Sequence, residues 1–275
     1  MTVNFDVVIE SPDYAVDMKS GLETLQGISD ASRTITEALV TKVVPHRQTK
    51  GSPVRTTLKK TFQGSYGQNF SIDILDADAQ RELRRLGHEV FIELLTYFMH
   101  EAVYVESPEL SDRAQTALEE LGDASEELML QLRQSPMTNI HKVVDRYDYS
   151  VKIRYKKRAL EPRVVADFNE RTSAALSPMQ DPNIVELTAS ITRLNINTGN
   201  GRLLLLGEDE TVAFGFASGY QFVGYDAKKR FSENLNYNNG RERENWRHFR
   251  IDARPLRLPD GRVIKYFITG FSASE

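Results

Sequence analysis

The chain has 275 residues, of which 40% are hydrophobic and 27% are charged, a balance typical of a folded globular protein. It contains no Cys, which excludes disulfides, thiolate metal sites, iron–sulfur clusters and cysteine nucleophiles. Met1 to Asp6 lack the pattern of a secretory signal, and apolar stretches such as Phe91 to Met99 are too short to span a membrane. We therefore expect a soluble, cytoplasmic protein without membrane contact.

The net charge of −4 conceals a separation of charge along the chain. Residues 76–134 hold fourteen acidic and five basic side chains, a net charge of −9. Residues 145–165 hold seven basic and three acidic side chains, and residues 240–265 hold eight and four, so each segment carries +4. Such separation can steer an anionic ligand or let copies of the chain associate. The alternative is that these charges only solvate helix and strand surfaces.

The first part of the chain mixes strand and helix patterns. A strand is predicted from Val3 to Glu10, and Asp17 caps a helix whose apolar residues recur at the helical period up to Val43. The elements predicted next are two strands around a glycine turn and two long helices: strands 54–62 and 70–75, helices 78–103 and 111–134. Pro136 suits the first turn of a further short helix.

Strict alternation from Tyr147 to Lys156 predicts another strand, with Lys152, Arg154 and Lys156 on one face. The segment after it contains several prolines and loses this regularity. We place a linker at 177–183, between a packing or oligomerisation domain at 1–176 and a β domain at 184–275.

The β domain is predicted to contain five strands with one helix inserted after the third. These elements are strands 184–196, 202–206 and 211–217, helix 226–235, and strands 246–256 and 263–271. The predicted fold class is therefore α+β: an N-terminal sheet packed with long helices, followed by a small five-stranded OB-like β-barrel. A curled five-stranded sheet is the alternative.

The sequence contains few signs of catalysis. Its five histidines include no pair four residues apart on a helix, and it has neither a nucleophile elbow nor a phosphate-binding loop. We therefore predict no cofactor, no metal and no catalytic residue. A metal-dependent nuclease is an alternative, because Asp13, Asp17 and Lys19 imitate a carboxylate–lysine site, as do Asp226 and Lys228.

Two basic segments are candidate binding surfaces for nucleic acid or another anion. Lys152, Arg154 and Lys156 repeat every 6.5–7 Å or so along one strand face, near the phosphate spacing of a single strand, and Lys157 and Arg158 extend them. The second segment interleaves basic residues with the aromatic residues Trp246 and Phe249, the usual material of a stacking and phosphate-contacting surface. Its basic residues are Arg241, Arg243, Arg247, His248, Arg250, Arg254 and Arg257. In the alternative interpretation, Trp246 and Phe249 lie in the barrel core and the arginines form its solvated outer face.

The arrangement is similar to that of bacterial proteins of unassigned function. The similarity rests on the Gly64-Ser65-Tyr66 turn, on Leu187 to Gly201, on Val212-Ala213-Phe214, and on the segments 249–253 and 261–271. Some proteins of this kind occur beside mobile elements or phage-defence genes. The resemblance implies an accessory role in phage defence and assigns no site residue.

Together these features favour a non-enzymatic bacterial binding or assembly protein. Nucleic acid, and a homo-oligomer or protein partner, are the expected partners. A structural homo-oligomer in which acidic helices meet basic strands is the first alternative, and the nuclease is the second.

Overall fold

A computed structural model describes residues 1–47, 49–62, 66–156 and 162–271 of the chain. The chain forms two compact units, Met1–Leu176 and Ser177–Glu275. They are called here the N-terminal unit and the C-terminal unit.

The N-terminal unit combines one sheet with eight helices in its described residues. Its strands are β1 (Thr2–Ile9), β2 (Val54–Phe62), β3 (Tyr66–Ile74), β4 (Val151–Tyr155) and β5 (Arg163–Phe168). Its helices are α1 (Met18–Thr41), α2 (Ala77–Leu86), α3 (His88–Ala102), α4 (Asp112–Leu121), α5 (Asp123–Arg133), α6 (Ser135–Ile140), α7 (Lys142–Tyr147) and α8 (Glu170–Ala174).

The sheet is antiparallel, in the order β2-β3-β1-β4-β5. β1 lies at its centre because alternate residues there are apolar and fully enclosed, such as Phe5 and Val7. One hydrophobic cluster contains these side chains together with helix residues such as Ile35, Leu94 and Leu132. Asp17 begins α1 by accepting a hydrogen bond from the backbone N–H of Ser20, as its position predicts.

Each of the two predicted long helices is divided into two. Gly87 separates α2 from α3 with a φ of 88°, and Gly122 separates α4 from α5 with a φ of 52°. Glycine adopts these left-handed values without the steric cost that a Cβ brings, so the chain turns there although the apolar pattern continues.

The predicted strand 147–156 is shorter in the structure, because Tyr147 belongs to α7 and β4 begins at Val151. Asp148 ends α7 in a left-handed conformation, which the alternating pattern did not indicate. β5 was not predicted, since Pro162 precedes it and its pattern is irregular. Residues 63–65 of the predicted turn lie outside the described residues.

The C-terminal unit contains a closed five-stranded barrel. Its elements are β6 (Met179–Gln180), β7 (Val185–Leu194), β8 (Gly201–Leu205), β9 (Val212–Phe216), α9 (Tyr225–Asn238), β10 (Phe249–Arg257) and β11 (Val263–Phe271). Neighbouring strands follow the order β7-β8-β9-β11-β10, and β10 pairs again with β7 to close the barrel. β9 and β11 are parallel, and the other barrel pairs are antiparallel.

The predicted linker 177–183 contains a short strand. Met179 and Gln180 form β6, which pairs with the end of β10, and Arg257 of β10 forms an ion pair of 3.1 Å with Asp181. Two residues are too few to show an alternating pattern, and their partner strand is distant in sequence. The sequence therefore could not predict β6.

The barrel has its own hydrophobic cluster, into which α9 places Phe231. This ring is fully buried, and its centroid lies 5.1 Å from those of Phe216 and Phe249. The α+β class and the C-terminal five-stranded barrel are therefore confirmed. In the described part of the chain, no helix has the length and apolar character needed to cross a membrane.

Candidate functional site

The segment between α9 and β10 is held in place by two asparagines of the helix. The Asn238 side chain accepts a hydrogen bond from the Arg247 backbone N–H at 2.7 Å and donates to the Arg247 carbonyl at 3.0 Å. Asn234 donates to the same carbonyl at 2.8 Å and accepts from the backbone N–H of Ile191 in β7. Both asparagines are buried, so they replace backbone pairing where β10 has not yet begun. Arg247 is thereby fixed to the barrel through its backbone.

The side chain of Arg247 lies on an aromatic ring. Its guanidinium carbon is 3.6 Å from the centroid of the Tyr237 ring, and that of Arg241 is 4.3 Å from the same centroid. Arg241 also donates from Nε to the Tyr237 carbonyl at 2.7 Å. Both arginines are exposed, whereas Tyr237 is half-buried. The ring therefore orients two cations without removing them from solvent.

Trp246 joins this arrangement through its indole nitrogen, which donates to the Arg241 carbonyl at 2.9 Å. The ring is half-buried, and the Arg243 guanidinium carbon lies 6.0 Å from its centroid. We call these residues the arginine–aromatic cluster: Tyr237, Arg241, Arg243, Trp246 and Arg247. The sequence analysis missed Tyr237, because Arg241 lies beyond the end of α9 and its contact with the ring depends on where the helix ends.

Acidic residues moderate the charge of this cluster. Arg243 lies 3.7 Å from Asp209 in the β8–β9 loop, and both side chains are exposed. Glu242 and Glu244 alternate with the arginines, so residues 241–250, with four arginines and two glutamates, carry +2. Exposed ion pairs of this kind are weak, and a polyanion can displace them.

Arg250 lies in the same unit, on the outer face of β10. It is exposed and pairs in register with Thr188 of β7. Phe249 beside it is buried in the barrel, as alternation along a strand requires. The structure thus places the predicted arginines 241, 243 and 247 with Trp246, and puts Arg250 on the strand that follows them.

Lys152 and Arg154 lie in the N-terminal unit, and carboxylates face them across the sheet. Lys152 donates to Glu10 at 2.6 Å and lies 3.9 Å from Asp167. This hydrogen bond to Glu10 raises the pKa of Lys152. Arg154 lies 3.6 Å from Asp6, which is almost completely buried. The pairing lowers the positive potential that this strand face offers to a phosphate backbone.

Lys156 follows the end of β4 and is exposed. Lys157 and Arg158, which were predicted to extend the same face, lie outside the described residues. The predicted strand face therefore contributes one exposed lysine and two cations that lie beside carboxylates.

A cavity of about 500 Å³ in the N-terminal unit has charges of both signs. Asp30, Arg33, Arg47 and Glu127 line it, and Arg33 is buried in an ion pair of 3.3 Å with Glu37. Burial raises the pKa of Asp30 and of Glu37. Because two cations face two carboxylates along its lining, the cavity favours neither an anionic nor a cationic ligand.

Two of the residues that imitated a nuclease site, Asp17 and Lys228, have other contacts. The carboxylate of Asp17 caps α1, and its hydrogen bonds with the backbone and hydroxyl of Ser20 lower its pKa. Lys228 lies with its ammonium group 4.5 Å from the centroid of the Tyr220 ring. Among residues 1–47, 49–62, 66–156 and 162–271, no group of three or more His, Asp or Glu side chains is placed to hold a metal ion.

The arginine–aromatic cluster therefore offers two kinds of contact to a ligand. Planar groups can stack on its rings and guanidinium planes, and phosphate oxygens can accept hydrogen bonds from its arginines. Comparison of the chain with protein-family models, with curated proteins and with solved structures finds no match.

Proposed function

We propose that the C-terminal unit binds single-stranded nucleic acid and that the protein acts by binding, not by catalysis. The observation that carries this proposal is the arginine–aromatic cluster. Two exposed guanidinium groups there stack on Tyr237, and the half-buried ring of Trp246 is hydrogen-bonded to the Arg241 carbonyl. Stacked arginine and aromatic side chains contact both the bases and the phosphates of a single strand.

The barrel supports the proposal through its topology, which we interpret as OB-type. The order β7-β8-β9-β11-β10 with closure onto β7, the parallel pair β9 and β11, and a helix between the third and fourth strands are the features expected of such a barrel. OB-type barrels bind oligonucleotides and oligosaccharides. The positive charge of residues 241–250 favours the oligonucleotide.

An unpaired strand fits the cluster better than a duplex does. Base stacking on a side chain requires a base whose face is free, as in single strands and loops. Duplex reading usually places a helix or a two-stranded ribbon in the major groove. The cluster instead lies on an irregular segment between α9 and β10.

The test uses the complete chain and an oligothymidylate longer than about 16 nucleotides, the upper size of one OB-type site. Trp246 is the only tryptophan, so quenching of its fluorescence reports a base arriving at the cluster. We expect binding that weakens steeply between about 50 mM and about 200 mM salt. The double variant Arg241→Ala/Arg247→Ala should bind roughly tenfold or more weakly, with a salt slope smaller by about 1.4, since each phosphate contact contributes about 0.7.

The matched control is Arg81→Ala/Arg84→Ala, which removes two exposed charges from α2 in the N-terminal unit. It should bind as the unchanged chain does. Equal losses in both double variants would mean that net charge alone attracts the oligonucleotide. Absence of binding, together with a molecular mass in solution that depends on salt, would contradict the proposal and favour the structural homo-oligomer.

A further inference from the structure

A second pair of aromatic rings lies at the other end of α9. Phe222 and Tyr225 are 77% and 76% exposed, the highest values among the large apolar side chains described in the C-terminal unit. Exposed aromatic residues that lie close together are typical of interaction surfaces.

The turn that carries Phe222 is anchored to the barrel by its neighbour Tyr220. The Tyr220 ring occupies the space above Gly199, where an added Cβ would lie 2.2 Å from the ring. Its centroid is 5.4 Å from that of Phe216. The Phe222 N–H donates to the Gly219 carbonyl at 2.9 Å, which closes the turn. One ring is thus packed, while Phe222 is held outward on a fixed backbone.

The segment that carries this pair has a small excess of positive charge. Residues 218–233 contain Lys228, Lys229 and Arg230 against Asp226 and Glu233, a net charge of +1. Lys228 lies 4.5 Å from the Tyr220 ring centroid, Arg230 lies over the Phe249 and Phe271 rings, and Lys229 lies 3.5 Å from Glu233 in an exposed pair. The segment therefore combines exposed rings with cations, and this charge favours a polyanion over an apolar protein surface.

The helix sets the distance between the two sites. Tyr225 begins α9 and Tyr237 lies near its end, so about 18 Å separate them at a rise of about 1.5 Å per residue. At the phosphate spacing of about 6.5–7 Å in an extended strand, roughly four nucleotides cover that distance, and in a fully stacked strand, at about 3.4 Å per nucleotide, roughly six do. Both numbers lie within the range of about 4–16 nucleotides for one OB-type site.

We propose that Phe222 and Tyr225 form a second stacking platform and that one nucleic-acid strand binds along α9, from this platform to the arginine–aromatic cluster. This inference rests on the proposed function and defines the path of the ligand. Phe222 and Tyr225 contact bases, and α9 determines the shortest strand that occupies both ends.

The experiment compares oligothymidylates of about two, eight and sixteen nucleotides, which lie below, within and at the upper end of the size of one site. Trp246 fluorescence in the complete chain provides the measurement. The unchanged chain should bind the eight-nucleotide strand far more tightly than the two-nucleotide strand, because only the longer one reaches both platforms. In the variant Phe222→Ala/Tyr225→Ala, this gain in affinity with strand length should disappear. The affinity should fall roughly tenfold for each base that no longer stacks on a ring. Phe222→Tyr/Tyr225→Phe should retain it, since both rings remain.

Met179→Ala is the control, because Met179 is an exposed apolar side chain of the same unit. It should bind as the unchanged chain does. An undiminished gain with length in Phe222→Ala/Tyr225→Ala would overturn the platform while leaving the proposed function intact. A fall in molecular mass in that variant, without weaker oligonucleotide binding, would assign the rings to a protein interface and also overturn it. Failure of the unchanged chain to bind any strand would remove both proposals.

Discussion

His141 is a neutral histidine enclosed by the N-terminal unit. It is fully buried, with Nδ1 2.8 Å from the Met137 carbonyl and Nε2 2.8 Å from the Thr172 hydroxyl. Since a carbonyl only accepts, Nδ1 carries a proton and donates it to Met137. The Thr172 hydroxyl, which also donates to the Asn169 carbonyl at 2.9 Å, lies within hydrogen-bond distance of Nε2. Burial lowers the pKa of His141 below its ordinary value of 6.5. The two hydrogen bonds connect the end of α6 to α8, and burial of the ring disfavours its charged form.

This burial predicts a loss of stability in mild acid. The unfolded chain takes up a proton at His141 near pH 6.5, whereas the folded chain remains neutral until a lower pH. The free energy of unfolding should therefore fall as the pH drops from 6.5 towards the lowered pKa, by up to about 1.4 kcal/mol per pH unit. Urea unfolding followed by circular dichroism at several pH values measures this slope.

His141→Gln removes the titrating group and is the comparison. The variant is expected to be less stable at neutral pH but to show a flatter dependence in this range. Burial raises the pKa values of Asp30 and Glu37, so their titration lowers the free energy of unfolding as the pH rises, the opposite of the effect of His141. This contribution is the same in both proteins and cancels when one pH curve is subtracted from the other. Parallel pH curves for the two proteins would show that His141 does not titrate differently in the folded state.

Phe249 and Trp246 illustrate what the sequence could predict of the site. One interpretation placed both rings in the barrel core, and it holds for Phe249 only. Phe249 is buried because it begins β10 and alternation turns it inward, whereas Trp246 precedes the strand and is half-buried. Composition identified the arginines of the segment. It could not identify Tyr237 as the ring beneath them, because that contact depends on where α9 ends.

At the scale of elements, α9 is the part of the barrel unit that connects core and surface. Phe231 faces the hydrophobic cluster, and Asn234 and Asn238, three and seven residues later, hold the segment that leads to β10. One helix face thus carries both contacts, as its period requires. Replacement of a buried asparagine should therefore affect the segment more than the helix.

Asn238→Ala tests this role. The change leaves the Arg247 backbone N–H without its 2.7 Å acceptor in a buried place, which should cost about 1–3 kcal/mol of unfolding free energy. Denaturant unfolding followed by Trp246 fluorescence measures the cost. Asn236→Ala, an exposed position on the same helix, is the control and should change stability little. Similar losses in both variants would mean that helix propensity, not the network, determines the effect.

Secondary structure was predictable wherever local pattern and burial agree. The barrel strands follow such patterns closely, and β11 has the predicted bounds 263–271. The pattern failed at Gly87 and Gly122, where a backbone conformation interrupts a continuing apolar stripe. It also failed at β5, which follows Pro162 and has an irregular pattern although it pairs with the neighbouring β4. It failed at β6 because a strand of two residues that pairs with the distant β10 leaves no local signal.

At the scale of the whole molecule, the chain has two separate hydrophobic clusters, one in each unit. Of the nine α-helices found in the described residues, eight belong to the N-terminal unit, and the only tryptophan of the sequence belongs to the C-terminal unit. Helical circular dichroism therefore reports mainly on the first cluster. Trp246 fluorescence reports on the second. The composition of the chain provides one probe for each unit.

These probes lead to a prediction about how the molecule unfolds. Phe231→Ala removes the ring at the centre of the barrel cluster, a change that should cost about 3–5 kcal/mol. We expect the midpoint of the Trp246 transition to fall while the main transition in circular dichroism keeps its position. Leu94→Ala, in the cluster of the N-terminal unit, should produce the reverse. If either variant moves both midpoints equally, the two clusters unfold as one cooperative system, and a defect in either would then also abolish binding at the arginine–aromatic cluster.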